Sequence, residues 1–213
     1  MRPFVRETGV GVPLPRANVD TDQIIPKQFL KRIERTGYGP FLFNDWRYDP
    51  DTGADRDEFV LNAAPYREGT VLVAGRNFGS GSSREHAVWA LTDFGFRAVI
   101  APSFADIFRG NSSKGGLLTV QLPEDVVNAI IAHLEEEPGA EVTVDLETCT
   151  VSTGGVRVTF EMDAFERRCY LEGLDDIGLT LEHEAEITAF EADRPGWMPD
   201  LRRRGDAAVE ARS

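Results

Sequence analysis

The sequence predicts an α/β fold with a parallel βαβ core, to which a β-hairpin and C-terminal helices are added. Two apolar runs, at residues 70–74 and 98–101, flank a stretch with helical spacing of apolar residues at 83–94. A strand, a helix and a strand within about 30 residues form a βαβ unit, whose strands are parallel and joined by a right-handed crossover. Alternating apolar and polar residues at 141–146 and 156–160 predict a β-hairpin or meander.

The remaining elements are predicted from local composition and capping residues. Pro123 and Glu124 begin an apolar stretch with helical spacing, which is typical of a helix N-terminus. Residues 194–213 contain proline, glycine and arginine without apolar periodicity, so one domain at 1–193 with a flexible tail is expected. The other predicted segments are a β-rich start at 1–17, a polar loop at 18–26, an acidic surface loop at 49–58, a short helix or turn at 104–108, a glycine-ended loop at 111–116, a strand at 117–122, and helices at 123–137, 164–172 and 179–192.

Length and charge narrow the class of protein. The chain has 213 residues, enough for one well-packed domain. Its net charge of −13 argues against broad nucleic-acid binding, which needs basic surface to neutralise phosphates. No apolar run approaches the roughly 20 residues of a membrane helix, and the first residues lack the apolar core of a signal peptide. A cytoplasmic protein is therefore expected.

Two cysteines and three histidines limit the metal chemistry that this chain could support. Cys149 and Cys169 lie outside any C-x-x-C pattern and are expected to be free thiols packed as small apolar residues. Two thiols are too few to ligate an iron–sulfur cluster or to form a structural zinc site. His86, His133 and His183 are widely spaced, and the last two lie in acidic, helix-like segments where surface positions are expected. No metal site built by this chain alone is expected.

The most informative segment is residues 79–86, Gly-Ser-Gly-Ser-Ser-Arg-Glu-His, which lies between the first core strand and the core helix. Glycines let backbone N–H groups approach a ligand closely. The first N–H groups of a helix have no partner within the helix and carry the positive end of its dipole, so such a place binds anions. The hydroxyls of Ser82 and Ser83 and the guanidinium of Arg84 suit a site that holds a carboxylate and moves a proton.

The same segment also fits two other local structures. Ser82 and Glu85 fit a capping box, in which the serine caps the helix. Arg84 in the first turn opposes the helix dipole, so an anionic ligand explains it better than helix stability does. The glycine spacing also resembles a dinucleotide-binding turn, which predicts an acid at the end of the next strand. That strand ends in Ile100-Ala101-Pro102 instead.

Two further groups of polar residues precede the core. Asp20 and Asp22 flank Thr21, and such a triplet alone is usually a turn or a cap. A set of bases follows in a stretch that is rich in aromatic residues and contains two glycines. This stretch is either a solvated face or a mobile segment that covers a substrate. The bases are Lys27, Lys31, Arg32 and Arg35.

Four segments together resemble the small subunits of 3-isopropylmalate dehydratase, a family that corresponds to the mobile C-terminal domain of aconitase. They are Asn-Val-Asp-Thr-Asp-Gln-Ile-Ile-Pro at 18–26, Gly-Arg-Asn-Phe-Gly-Ser-Gly-Ser-Ser-Arg-Glu-His at 75–86, Gly-Gly-Leu-Leu at 115–118 and Asp-Asp-Ile-Gly-Leu-Thr at 175–180. The resemblance extends over about residues 1–198, and the serine–arginine block is highly specific to the family.

The resemblance implies a swivelling β/β/α domain that is inactive alone and pairs with a separate large subunit. The large subunit would carry three cysteines that bind a [4Fe–4S] cluster, whose open iron acts as a Lewis acid. The implied reaction converts 2-isopropylmalate to 3-isopropylmalate through 2-isopropylmaleate, in leucine biosynthesis. The alternatives are the small subunit of a related hydro-lyase, such as homoaconitase or a substituted malate or maleate hydratase, and a non-catalytic anion-binding module.

The resemblance also implies roles for individual residues. Ser82 matches the general base, and Asp22 matches an aspartate of the catalytic site that orients its neighbours. Ser83 and Arg84 match ligands of a substrate carboxylate.

Residues 27–40 match a substrate-recognition loop, in which Lys31 or Arg32 would bind the second carboxylate. The chain departs from the family pattern at 109–114, which leaves the roles of Asn111 and Lys114 open.

Overall fold

The structure is a computed structural model that describes residues 1–31, 34 and 36–194. Outside the described residues lie Arg32, Ile33 and Arg35. Residues 195–213, all of the predicted tail except its first residue, also lie outside them. The chain divides into two compact units, Met1–Asp175 and Asp176–Ser213. The boundary at residue 193 between a domain and a tail stays a prediction.

The first unit is built on one seven-stranded sheet. The strands are β1 (Arg6–Leu14), β2 (Val71–Ala74), β3 (Ala98–Ala101), β4 (Leu118–Gln121), β5 (Glu141–Asp145), β6 (Thr150–Thr153) and β7 (Val156–Thr159). Their order in the sheet is β4-β3-β2-β1-β5-β6-β7. β1 pairs in parallel with β2 through its second half and antiparallel with β5 through its first half. It therefore joins a parallel half of the sheet to an antiparallel half.

The parallel half confirms the predicted βαβ core. β2 and β3 pair in parallel, and the helix between them is α3 (Glu85–Phe94). Every residue of β2 and β3 is buried, as expected for parallel strands covered on both faces. Leu72 and Ala74 belong to one apolar core with α3, whereas Val71 and Val73 belong to another with the helix α5 (Glu124–Glu136). Because successive residues of a strand face opposite sides of a sheet, the two cores lie on opposite faces.

The described helices of the first unit, besides α3, are α1 (Thr21–Ile24), α2 (Asn44–Arg47), α4 (Asp106–Gly115), α5 (Glu124–Glu136) and α6 (Ala164–Glu172). The first four lie between strands in the sequence, whereas α6 follows β7. Two 3-10 turns, Lys27–Lys31 and Gly39–Phe41, follow α1, and two more, Val60–Asn62 and Tyr66–Glu68, precede β2. Among the described residues, no helix combines the length and apolar character required to cross a membrane.

The part of the second unit that the structure describes, 176–194, contains two helices, α7 (Asp176–Leu181) and α8 (Glu184–Ala192). The single helix predicted at 179–192 is therefore wrong, because the helical backbone is interrupted at Glu182 and His183. Ile177 and Phe190 are largely exposed, so the described part of this unit has no apolar core of its own.

The loop predicted at 111–116 is also wrong, because these residues form the end of α4 and its cap. Phe108 and Ser112, one turn apart, are buried, and this tertiary packing overrides the weak helix propensity of the local sequence. The helix ends at Gly115 and is capped by Gly116, which takes the left-handed conformation with φ +74°. Asn111 and Lys114 thus lie on a helix.

The region predicted as a β-hairpin or meander is a three-stranded meander, because β6 pairs with both β5 and β7. One smaller expectation is corrected. His133, expected at the surface, has a side chain only 17% exposed on α5. His183 is exposed, as expected.

Candidate active site

The candidate site lies where the segment around α1 meets the turn after β2. Gly79 N–H donates to the Val19 carbonyl, and Thr21 N–H donates to the Ser80 carbonyl, each over 2.8 Å. The Thr21 hydroxyl donates to the Ser82 carbonyl over 2.9 Å. These bonds tie two segments that are far apart in sequence, so residues 18–24 and 79–84 form one structural element.

The turn itself requires glycine at position 79. Gly79 has φ +76°, a conformation that side chains with a Cβ rarely adopt. A Cβ on Gly79 would also overlap the ring of buried Phe108 on α4. The turn can therefore reach α3 only because this residue has no side chain.

Arg84 and Asp22 form a bidentate ion pair across these two segments. Nη1 of Arg84 lies 2.5 Å from Oδ1 of Asp22, and Nη2 lies 2.8 Å from Oδ2. Nη1 also donates to the Ile25 carbonyl over 3.3 Å. The Arg84 side chain is 13% exposed and that of Asp22 is 53% exposed. Such a planar, two-bond arrangement fixes the orientation of the guanidinium.

The predicted capping box at Ser82 and Glu85 is wrong. α3 begins at Glu85, two residues later than predicted, and its N-cap is Arg84 in an extended conformation without a side-chain capping bond. Ser82 and Ser83 precede the cap and are exposed. Within the described part of the chain, the hydroxyl of Ser82 makes no hydrogen bond, so capping does not occupy it.

A capping box does occur at α1. Gln23 N–H donates to Oδ1 of Asp20 over 2.8 Å, and Asp20 N–H donates to Oε1 of Gln23 over 2.9 Å. The two aspartates that flank Thr21 thus have different roles. Asp20 caps α1, whereas Asp22 in its first turn binds Arg84.

α3 begins at Glu85, after the two exposed serines and the N-cap Arg84. The helix is ten residues long, and four apolar residues, including Ala87 and Leu91, are buried in the core. Its first N–H groups and the positive end of its dipole therefore face the turn that carries Ser82, Ser83 and Arg84. This arrangement can bind an anion, and it lowers the free energy of negative charge that develops on a nearby oxygen.

The structure brings together Ser82, Ser83, Arg84 and Asp22, but it does not bring Lys31 into direct contact with them. Lys31 is exposed at the end of the first 3-10 turn. No ion pair or hydrogen bond joins it to Asp22 or Arg84 among the residues described. Arg32 lies outside the described residues.

His86, to which the sequence assigned no role, packs in an aromatic cluster beside the site. Its ring centroid lies 5.4 Å from that of Tyr38, edge to face, and 4.6 Å from that of Trp89. Burial lowers the pKa of His86 below its ordinary value, and the neighbouring Arg84 lowers it further, against an opposing effect of Glu85. The ring is therefore neutral at pH 7. Its place within the serine–arginine block was the only signal for it.

The donor atoms of this chain do not fit an iron–sulfur cluster. Within the described residues, no group of three or more His, Cys, Asp or Glu side chains could hold a metal ion. The sequence has two cysteines, fewer than the three that the resemblance assigns to the cluster-bearing subunit. The Cys149 thiol donates to the Leu146 carbonyl over 3.6 Å, and Cys169 is buried.

Comparisons with known proteins agree with this architecture. Residues 1–125 match the family model described as "Aconitase C-terminal domain", and residues 128–164 match "LeuD_N". Residues 176–203 match the model for the C-terminal domain of the 3-isopropylmalate dehydratase small subunit. Three models thus account for most of the chain.

Relatives named 3-isopropylmalate dehydratase small subunit match nearly the whole chain. The Micrococcus luteus protein is 59% identical over 199 residues, which are 93% of this chain and 96% of that protein. The Koribacter versatilis protein is 57% identical over 192 residues, 90% of this chain and 98% of that one. A solved structure of 3-isopropylmalate dehydratase (leuD) from Methanocaldococcus jannaschii has 28% identity and a TM-score of 0.64, covering 87% of this chain and 99% of that chain. The chain belongs to the family of 3-isopropylmalate dehydratase small subunits.

Proposed function

We propose that this chain provides the proton-transferring and carboxylate-binding half of a cytoplasmic, two-subunit hydro-lyase of leucine biosynthesis. The enzyme isomerises 2-isopropylmalate to 3-isopropylmalate through 2-isopropylmaleate. The observation that carries the proposal is the exposed Ser82 hydroxyl beside an Arg84 whose orientation Asp22 fixes, at the start of α3. The relatives' names support the proposed reaction, and this geometry supports the proposed roles.

Arg84 can bind a substrate carboxylate without releasing Asp22. A guanidinium has five N–H donors. Three of them point to Asp22 and to the Ile25 carbonyl. The two that remain are Nε–H and the second hydrogen of Nη2, which lie on the same edge of the guanidinium plane. This edge is a second planar fork, suited to the two oxygens of a carboxylate.

Ser82 is the proposed general base. A serine hydroxyl is a weak base unless its alkoxide is stabilised. The first N–H groups of α3 and the guanidinium of Arg84, two residues away, provide a positive field for that purpose. The Thr21 hydroxyl bond to the Ser82 carbonyl fixes the backbone at this position. Ser82 Oγ would remove the carbon-bound proton in dehydration and return it in rehydration.

Ser83 and Lys31 complete the proposed binding of the diacid. Ser83 is adjacent to Arg84 and exposed, so its hydroxyl can donate to the same carboxylate. Lys31 is proposed to attract the second carboxylate as a point charge on a flexible side chain. Asp22 is proposed to act through Arg84 rather than on the substrate, because both its oxygens accept from the guanidinium.

The rest of the chemistry belongs to the proposed large subunit. The aconitase relationship suggests a [4Fe–4S] cluster there, which supplies a Lewis acid for the substrate hydroxyl when bound. This chain's donors do not fit such a cluster, so its residues are assigned only binding, orientation and proton transfer.

Reconstitution tests this proposal. Three samples are assayed for hydration of 2-isopropylmaleate: the purified chain, its cluster-loaded large subunit and the mixture of both. The same samples are assayed in parallel with the diacid substrates of the related hydro-lyases, homoaconitase and the substituted malate or maleate hydratases. We expect turnover only in the mixture, and highest with 2-isopropylmaleate. Turnover by the isolated chain would contradict the division of the active site. Preference for another diacid would assign the chain to a related hydro-lyase.

A further inference from the structure

One face of α3 holds the segment that follows Lys31. His86, Trp89 and Asp93 are three and four positions apart, so they share one side of the helix. The His86 and Trp89 rings lie 5.4 and 5.8 Å from the ring of Tyr38. Asp93 Oδ2 accepts the Tyr38 N–H over 2.9 Å. Tyr38 is fully buried at this contact. We call His86, Trp89 and Asp93 the Tyr38-binding face.

Asp93 has no evident benefit for the helix itself. It is the second-last residue of α3, where the negative end of the dipole disfavours an acid. The hydrogen bond to Tyr38 gives a reason for an acceptor at this position. The conflict between helix stability and residue choice parallels that of Arg84 at the other end of the same helix.

The next residues are also packed onto α3. A Cβ on Gly39 would lie 2.8 Å from the Asp93 carbonyl oxygen, so only glycine allows this approach. Nη1 of Arg47 donates to the Gly39 carbonyl over 3.4 Å. The second 3-10 turn, Gly39–Phe41, is therefore held between α3 and α2.

A ring stack connects this turn to the one that carries Lys31. The Phe41 and Phe29 rings are 4.2 Å apart with an interplanar angle of 16°. Phe29 lies in the first 3-10 turn, two residues before Lys31. At the beginning of that segment, Ile25 accepts a hydrogen bond from Arg84. The turn bearing Lys31 is thus connected to α3 from both sides.

We propose that the Tyr38-binding face of α3 positions Lys31 relative to Arg84, so that Asp93 and His86 are positioning residues for the second substrate carboxylate. The inference rests on the proposed function, since it assigns Lys31 to that carboxylate. One helix, α3, would then align both charged ligands of the substrate. Arg84 is its N-cap. Lys31 is connected to it indirectly, through the rings of Tyr38, Phe41 and Phe29. Ser82 and Arg84 are held by separate bonds to Thr21 and Asp22, so the proton-transfer group would keep its geometry when this contact is lost.

The test is a KM-against-kcat comparison in the complex with the large subunit. Asp93→Ala removes the acceptor for the Tyr38 N–H, whereas Asp93→Asn retains an oxygen that can accept it. Asp125→Ala is the control, an exposed acid on α5 at the opposite face of the sheet. We expect KM for 2-isopropylmaleate to rise about tenfold in Asp93→Ala with kcat within about twofold, and near-normal KM in Asp93→Asn and Asp125→Ala.

A double-mutant cycle tests whether the effect of Asp93 on KM depends on Lys31. If Asp93 acts through Lys31, Asp93→Ala will raise KM little further in a Lys31→Ala background. Amide exchange of residues 38–43 in the complex should accelerate in Asp93→Ala and not in Asp93→Asn, a readout that does not depend on turnover. An unchanged KM, a loss confined to kcat, or additive effects with Lys31→Ala would overturn the inference. Inactivity of the wild-type complex would instead count against the proposed function.

Discussion

Asp22 and Arg84 are 62 positions apart and form a two-bond ion pair at 2.5 and 2.8 Å, which links α1 to the N-cap of α3. Arg84→Lys should lower kcat/KM about 100-fold, because an ammonium cannot form the planar forks to Asp22 and a substrate carboxylate. Arg76→Lys is the control, since Arg76 is exposed and lies 3.8 Å from Glu124. Steady-state kinetics of the reconstituted enzyme provides the measurement. Equal kinetics in the two variants would contradict carboxylate binding at Arg84.

Alanine replacements of Asp20 and Asp22 should differ in their effects, one acting mainly on stability and the other mainly on activity. Asp20→Ala removes the cap of α1 and should lower the free energy of unfolding by about 1 kcal/mol. Asp22→Ala should change stability less, because its pair with Arg84 is half exposed on the carboxylate side. It should nevertheless lower kcat/KM more than Asp20→Ala, since the guanidinium loses its fixed orientation. Urea denaturation and kinetics measure the two effects, and the opposite ranking would refute the assignment.

Thr21 is predicted to hold the backbone of the proposed base. Thr21→Val deletes the hydroxyl bond to the Ser82 carbonyl at a position that is 2% exposed. Stability should fall by about 1 kcal/mol, and kcat should fall while KM changes little. Thr8→Val is a suitable control, because the Thr8 hydroxyl makes an exposed bond to Thr143. A normal kcat in Thr21→Val would show that this bond does not matter for proton transfer.

Two glycines should respond oppositely to alanine. Gly79→Ala combines a left-handed backbone with overlap of the Phe108 ring, and should lower the free energy of unfolding by about 2–4 kcal/mol. Gly110→Ala lies inside α4 with open space around its Cβ, and should raise stability by about 0.5–1 kcal/mol. Denaturation midpoints of both variants decide the matter. Similar midpoints would mean that the turn tolerates a side chain.

His86 should make stability depend on pH in the mildly acidic range. Burial lowers its pKa in the folded state, so the unfolded chain binds the proton more readily. Stability is then complete above the ordinary histidine pKa of about 6.5 and declines as the pH falls below it. Asp49 and Asp145, whose pKa values are also lowered, act in a separate and more acidic range, below about 4.

Replacing His86 by phenylalanine keeps a ring against Tyr38 and removes the titration. The decline in the free energy of unfolding between pH 7.5 and 5.5 should therefore be smaller in His86→Phe than in the wild type. The control is His183→Gln, because His183 is exposed. An unchanged pH dependence in His86→Phe would argue against the partly buried, neutral imidazole.

The core of the fold could be predicted because its signals are local. The β2–α3–β3 unit follows from two short apolar runs and one helical repeat. The structure moves the start of α3 by two residues and the start of β2 by one. The second half of α4 differs from the loop predicted at 111–116, because glycine, asparagine and serine suggest a loop and only the burial of Phe108 and Ser112 reveals the helix. Tertiary contacts override such weak propensities.

The candidate site, too, could be predicted where its residues are adjacent in sequence and not where they are far apart. Ser82, Ser83 and Arg84 are adjacent, so the sequence alone could group them. The pairing of Asp22 with Arg84 and of Asp93 with Tyr38 joins residues 62 and 55 positions apart. Such pairings depend on how β1 and β2 are placed side by side. The resemblance to the family indicated that Asp22 orients its neighbours, but nothing in the sequence indicated Asp93.

Turnover of a Ser82→Ala complex tests the central claim most directly. We expect the variant to assemble with the large subunit at wild-type affinity and to lose about 10²- to 10⁴-fold in kcat, the usual contribution of a general base. Ser152→Ala, a serine on β6 in the antiparallel half of the sheet, should keep normal kinetics. Turnover of Ser82→Ala within a few-fold of the wild type would show that the exposed hydroxyl at the start of α3 does not transfer the proton.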